Sequence, residues 1–306
     1  MTATTTPGTS LNVQRISKTF SSRNGTVPAL QNVSFTVADG QFYSIVGPSG
    51  CGKSTLLNVI AGLEPEDTGT IHLGVPGDPG GTASNSPVDR AAPSAPYPAA
   101  VQGDTEVAAY QNESTRADSR LGTIGYMPQK DLLLPWRTVL DNAALGLELT
   151  GVSRTTARER ARSLLDRFGL DGFADSYPAE LSGGMRQRAA FLRTVLTDRS
   201  LMLLDEPFGA LDALTRRSMQ EWLLGVWSKM QRTVVLITHD VDEAIFLSDR
   251  VAVMSPRPGR IVAEHPVDLP RPRSAEMITS REFIELKRRI MVDLRTALEG
   301  SDDADE

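Results

Sequence analysis

The stretch "GPSGCGKST", Gly47 to Thr55, follows the apolar run "FYSIV" and opens into "LLNVIAGL". It fits the pattern G-x-x-x-x-G-K-[ST], with Gly47 and Gly52 as the fixed glycines, then Lys53 and Ser54. Pro48, Ser49, Gly50 and Cys51 fill the loop, and Thr55 ends it. Glycines let a backbone fold tightly around an anion so that several N–H groups point inward, and a helix opening near Lys53 adds the positive end of its dipole. Lys53 has the reach for the β- and γ-phosphates, and the Ser54 hydroxyl is suited to ligating Mg²⁺. An apolar strand before the loop and an apolar helix after it complete the context of a phosphate cradle. By itself the loop says only nucleoside triphosphate.

Working outward, "RSLMLLDEP" and "RTVVLITHD" are short buried-strand runs separated by the helical stretch "ALTRRSMQEWLLGVWSKM". Strands alternating with helices imply a parallel sheet covered on both faces, so the class is α/β. Residues 11 to 73 hold further short strands, "LNVQRI", "VSFTV" and "GTIHL". Residues 137 to 170 read as mainly helical, with Ala157, Ala161, Leu164, Leu165 and Phe168 on one face. Residues 256 to 273 are proline-rich and extended. A last amphipathic helix carries Phe283, Leu286, Ile290, Leu294 and Ala297 at helical spacing; it fits packing on the core or a small dimer contact.

One segment breaks the pattern. From Gly74 to Arg120 there are six prolines, five glycines and no Leu, Ile, Phe, Met or Trp, too little apolar surface to offset the entropy of ordering. It reads as a disordered insertion. The 306 residues carry a net charge of -6, which argues against a nucleic-acid binder. No stretch approaches the roughly 18 apolar residues of a membrane span, and the N-terminus lacks the features of a leader. The single cysteine, Cys51, excludes an internal disulfide and fits a cytosolic setting. At the head of a helix its thiol is expected to have a lowered pKa.

Four further stretches narrow the chemistry. In "LMLLDEP", Asp205 at a strand end suits a Mg²⁺ shell and Glu206 suits polarising an attacking water. In "LSGGMRQR", Ser182 is placed to cap a helix, while Gly183 and Gly184 permit a phosphate to approach its N-terminus. In "THD", His239 follows a strand and is able to bond a phosphate oxygen and the catalytic water. In "MPQKDLLLPW", Gln129 at a strand end is within reach of Mg²⁺ and water. Leu132, Leu133, Leu134 and Trp136 are apolar for a loop, which fits either a docking surface for another protein or burial in this chain.

Together these residues resemble the ATP-binding subunit of ABC transporters over about residues 11 to 255, the insertion apart. The resemblance is specific, because the motifs occur in the family's order. It implies a RecA-like P-loop NTPase core with an antiparallel β subdomain at residues 11 to 73 and a helical signature subdomain at about 137 to 190. An extension at 256 to 300, an acidic tail at 301 to 306 and a flexible start at 1 to 10 flank it. Gly47 to Thr55 would be the Walker A loop, Gln129 the Q-loop glutamine, "FGALD" with Asp212 the D-loop, and His239 the switch histidine. Ser54, Gln129 and Asp205 would hold Mg²⁺. Phe20 falls where the family stacks an aromatic on adenine; a buried core phenylalanine is the competing reading. The Lys53 to Gln129 spacing is longer than the family needs, and the insertion accounts for it.

The resemblance further implies a head-to-tail homodimer closing over ATP, with Walker A of one subunit facing the signature of the other. Integral-membrane permease subunits, an extracytoplasmic substrate-binding protein and a place on the cytoplasmic face of the membrane go with it. The motif wording looks most like importers of nitrate, sulfonates and taurine, a group that includes carriers of thiamine-precursor pyrimidines. The rival of another class is a soluble ABC ATPase not coupled to transport. Repair and chromosome members have coiled-coil arms and basic surfaces, ribosome-associated ones carry two cassettes, and a P-loop kinase has no use for "LSGGMRQR".

Overall fold

The computed structural model describes residues 9–22, 25–74, 117–230 and 232–302. Buried throughout, "FYSIV", "LMLLD" and "TVVLIT" form β3 (Phe42–Val46), β6 (Leu201–Asp205) and β7 (Thr233–Thr238). Unbroken apolar runs are what strands covered on both faces require. They pair in parallel, Phe42 opposite Val234 and Leu201 opposite Thr233. Strands β5 (Gly125–Met127) and β8 (Arg250–Met254) extend the sheet in parallel, and β9 (Ile261–Pro266) closes one edge antiparallel. The order is β5-β6-β7-β3-β8-β9. The C-terminal extension thus adds a strand to the core sheet. Val46 lies opposite Thr238 and Asp205 opposite Ile237, so the residues that follow these strands emerge along one edge, where open α/β sheets bind ligands.

The second sheet is antiparallel, in the order β2-β1-β4, from β1 (Leu11–Ser22), β2 (Gly25–Val37) and β4 (Thr68–Leu73). The first two strands run well beyond the short ones read from sequence. In β1 the buried side chains are Leu11 and Val13, then Ile16 and Lys18, so the alternation slips at Gln14 and Arg15. Arg15 has φ 50 and the register shifts there, a bulge that breaks the period-2 signal without ending the strand. Between the sheets lies α1 (Lys53–Ala61), whose Leu56, Leu57, Val59 and Ile60 are buried with Val13, Val33, Ile45 and Leu203.

Of the segment read as a disordered insertion, residues 75–116 lie outside the described residues. Its last four, Ala117–Arg120, form the short helix α2. Arg120 is buried there, donating to Val59 O at 3.0 Å and pairing with Glu66 at 2.8 Å, which supplies the anchoring that composition alone does not show.

The helical region comprises α3 (Val139–Leu149), α4 (Arg154–Leu165) and α5 (Gly183–Leu196). Ala157, Ala161, Leu165 and Phe168 are buried, and Leu164 packs beside them partly exposed. Phe191 of α5 meets Phe208, just past β6, edge-on at 5.7 Å, so an aromatic contact fixes this region to the turn after the core strand. Helix α6 is Ala213–Met230 and α7 is Val241–Leu247. The last helix, α8 (Arg281–Asp302), packs on the core: Phe283, Leu286 and Ile290 are buried, Lys287 pairs with Asp242 at 2.7 Å, and His265 bonds Asp293 at 2.6 Å.

Candidate active site

Gly52 precedes α1 with φ 108, a conformation that L side chains rarely adopt, and a Cβ there would come within 2.6 Å of Ala29 O. The next residue, Lys53, is buried and donates from Nζ to Gly47 O and Pro48 O, both at 2.8 Å. Its ammonium therefore lies inside the curve of the loop, where phosphate oxygens would be received. Ser54 hydrogen-bonds Asp205, the last residue of β6. Burial pushes the Asp205 carboxyl above its usual range, the Ser54 hydroxyl and Lys53 work against that, and Glu206 adds to it. Ser54, Asp205 and Gln129 offer hard oxygen donors, the chemistry Mg²⁺ selects.

Cys51 departs from its sequence reading. It is 1% exposed, beside Gly47 and Met254, and burial pushes its thiol up, with Lys53 at 3.7 Å opposing. Desolvation outweighs the helix terminus, so Cys51 is a packing residue of the loop rather than a reactive thiol.

Glu206 stands at the centre of a second cluster. Gln129 Nε2 donates to its Oε2 at 3.3 Å, and His239 Nδ1 lies 3.3 Å from its Oε1. The three residues reach it from the ends of β5, β6 and β7. Together with Asp131, Gly183 and Gln187 they line an open cleft. Glu206 has φ 49, a left-handed conformation that costs a non-glycine residue about 1 kcal/mol and turns the carboxylate out from the strand line. Its N–H donates to Ile237 O at 2.9 Å, and its carbonyl accepts from Gln187 Nε2 at 2.8 Å. Gln187 Oε1 in turn accepts from Ala210 N at 2.7 Å.

The sequence reading missed Gln187, a buried side chain that braces the strained backbone of Glu206 and the "FGALD" turn at once. Replacing it by Ala should lower kcat for ATP hydrolysis on the order of tenfold, about 1.4 kcal/mol, with little change in KM. Steady-state ATPase assays check this; an unchanged kcat would mean the turn holds Glu206 unaided.

Ser182 caps α5, its hydroxyl accepting from Met185 N at 3.2 Å. Asp212 caps α6 through Thr215 N at 3.1 Å, and the Thr215 bonds hold its carboxyl below the usual range. Neither residue is among those lining the cleft, and nor is Phe20. Phe20 is 38% exposed near the end of β1, with the Lys18 ammonium 5.3 Å from its ring centroid, so the core reading does not hold.

The loop after Gln129 is fastened to α5. Arg186 pairs with Asp131 at 3.1 Å, and Arg193 donates to Asp131 O and Leu132 O, both at 2.7 Å. Its apolar side chains divide: Leu133 is buried, while Leu132 is 59% and Trp136 71% exposed.

Residues 30–209 match the family described as ABC transporter. The taurine import ATP-binding protein TauB of Rhizobium johnstonii is 42% identical over 301 residues, covering 94% of this chain and 99% of that protein. The aliphatic sulfonates import ATP-binding protein SsuB of Bacillus cereus is 36% identical over 281 residues, 92% of this chain and 94% of that one. The formylaminopyrimidine import ATP-binding protein ThiZ of Halalkalibacterium halodurans is 38% identical over 290 residues, 94% and 96% of the two chains. Among solved structures, the dimeric bacterial ABC transporter cassette MJ0796 superposes with a TM-score of 0.66 at 26% identity, covering 85% of this chain and 99% of that one. A post-hydrolysis state of MJ0796 bound to ADP and Pi gives the same values. Fold and site thus define a P-loop ATPase cassette. The chain belongs to the ABC transporter family.

Proposed function

We propose that this ATPase powers the import of a small organic or inorganic anion, such as a sulfonate, taurine or nitrate, as the nucleotide-binding subunit of a membrane assembly. The observation that carries the hydrolytic part is the convergence of Gln129 and His239 on Glu206, beside the loop that holds Lys53. ATP lies along Gly47 to Thr55 with its base on Phe20. Ser54, Asp205 and Gln129 would hold Mg²⁺, which when bound would supply charge neutralisation at the phosphates. Glu206 accepts a proton from the water that attacks the γ-phosphorus, the bond to the β-phosphate oxygen breaks, and ADP and inorganic phosphate result. Gln129 and His239 orient Glu206 and the water, so catalysis is mostly positioning and electrostatics.

Two copies close head to tail, Ser182, Gly183 and Gly184 of one subunit meeting the ATP of the other and Asp212 flanking the seam. The exposed Leu132 and Trp136 fit the docking of a permease on the cytoplasmic face, and no described helix is long and apolar enough to cross a membrane. Cargo choice rests with that permease and an extracytoplasmic binding protein, because the motifs here face ATP and the permease. A thiamine-precursor pyrimidine is the second reading of the cargo, ThiZ being a formylaminopyrimidine import protein.

The test is affinity capture of tagged Glu206→Gln protein from detergent-solubilised native membranes with ATP, with partners identified by mass spectrometry. A polytopic permease should be recovered, together with its binding protein, and adding Trp136→Glu to the same bait should remove both. Recovery of soluble proteins or nucleic acid alone would end the coupling to transport and leave the ATPase standing.

A further inference from the structure

In "THDVDEA" Glu243 looks like one more acid in the acidic first turn of a helix, an ordinary solvated position. The structure turns it inward. Asp242 takes the outward place and pairs with Lys287 of α8, whereas Glu243 is 5% exposed. Its Oε2 accepts from Gln220 Nε2 of α6 at 3.0 Å, and it shares a side-chain hydrogen bond with Thr238. Thr238 Oγ1 also accepts from Asp240 N at 3.0 Å, while Asp240 Oδ1 accepts from the N–H groups of Asp242 at 2.9 Å and Glu243 at 3.2 Å. Both chain neighbours of His239 are therefore tied to Glu243, Thr238 through its side chain and Asp240 through the cap. On the other side of the turn, Glu243, Thr238, His239 and Glu206 line one small cavity.

We propose that Glu243 is a positioning residue for ATP hydrolysis: it fixes the Thr238–Asp240 turn that holds His239 against Glu206, and links that turn through Gln220 to the helix following the D-loop. The proposal rests on the ATPase reading above and goes beyond it in assigning a buried acid to the geometry of the switch histidine. Gln220 lies two turns into α6, the helix that Asp212 caps, so a shift of that helix reaches His239 through two hydrogen bonds.

The charged groups facing Glu243 are Arg216 of α6, Asp240 in the turn, and Glu206 and His239 across the cavity; Lys287 of α8 is taken by Asp242. Burial pushes the Glu243 carboxyl up to about 7, and Asp240 adds to the rise. The bonds from Thr238 and Gln220, and Arg216, oppose it. As a carboxylate Glu243 accepts from both Gln220 and Thr238; as the acid it keeps one acceptor and donates with the other oxygen. The turn is thus held in two slightly different ways on either side of neutrality.

The experiment is ATP hydrolysis by the full chain as wild type, Glu243→Gln and Glu243→Ala, with kcat and KM measured from about pH 6 to about pH 9. Glu243→Gln has an acceptor and a donor where the protonated acid has them, so its kcat should match wild type on the acid side. Above about pH 7 the wild type should rise away from it. Glu243→Ala should lose on the order of tenfold in kcat with KM within about twofold. Thr238→Val removes the hydroxyl link and should reproduce that loss, which keeps the test open if the alanine variant fails to fold. Superimposable profiles for wild type and Glu243→Gln, or a wild-type kcat in Thr238→Val, would overturn the proposal. An inactive wild type would instead count against the ATPase reading, so the two failures are separable.

Discussion

Glu206→Gln protein should bind ATP with near wild-type affinity, hydrolyse it at least about a hundredfold more slowly, and persist as an ATP-bound dimer. The substitution keeps the shape of the side chain and removes its charge and basicity. The amide is isosteric with the carboxylate, so the left-handed backbone at Glu206, the Ile237 carbonyl bond and the Gln187 brace are all retained. The amide offers one acceptor oxygen and one NH₂ in place of two oxygens, so one of Gln129 and His239 keeps its partner and the other must turn its own acceptor toward the NH₂. On the proposed mechanism, what is lost is the group that takes the proton from water as it attacks the γ-phosphate, and general-base catalysis of this kind is worth about two to four orders of magnitude. If hydrolysis reopens the pair, as the proposed cycle requires, a stalled site would hold it closed. Size-exclusion chromatography with ATP, run beside a turnover assay, checks both halves. A monomeric variant with full activity would sink the assignment of Glu206.

Lys53→Ala should weaken nucleotide binding by about ten- to a hundredfold, with a matching fall in kcat/KM. Lys53 is buried, and its ammonium supplies the one side-chain charge on the first residue of α1, inside the phosphate loop. Removing it takes a charge-assisted donor from the phosphates, worth about 1.5–3 kcal/mol, and leaves the Gly47 and Pro48 carbonyls without the donor they have at 2.8 Å. The glycine conformations and the helix terminus remain, so residual binding is expected. Titration with a fluorescent ATP analogue gives the number. Wild-type affinity in this variant would show that the backbone N–H groups alone hold the nucleotide.

Much of the site was legible because it lies where simple patterns are loudest. The buried strands β3, β6 and β7 are unbroken apolar runs, and Gly47, Glu206 and His239 follow them directly, so finding the strands located the candidate site. Strand β1 was harder, since the bulge at Arg15 puts its two halves out of phase. Gln187 and Arg193 left no mark at all: a glutamine or arginine on an amphipathic helix looks like solvent-facing polarity, and only the packed structure turns each onto a backbone carbonyl. Cys51 failed for a related reason. A helix start lowers a thiol pKa in water-accessible settings, and sequence does not report that Met254 and Gly47 enclose this one. The inward turn of Glu243 is equally silent, because its neighbour Asp242 has the same charge and the opposite fate.

Helix α5 spans 14 residues, about 21 Å of continuous hydrogen-bonded rod. Ser182 stands at its head; Arg186 grips the Asp131 carboxylate, and Arg193, two turns on, grips the backbone carbonyls of Asp131 and Leu132. A rod clamped to a loop at two points has no slack. On the proposed reading, in which a second copy brings ATP to the head of α5, a force arriving there would be passed along the helix to the loop that carries Leu132. If the proposed docking at this surface holds, the gearing between fuel and load would be set by the stiffness of α5, and a push on the loop around Leu132 would be felt at Ser182 as much as the reverse.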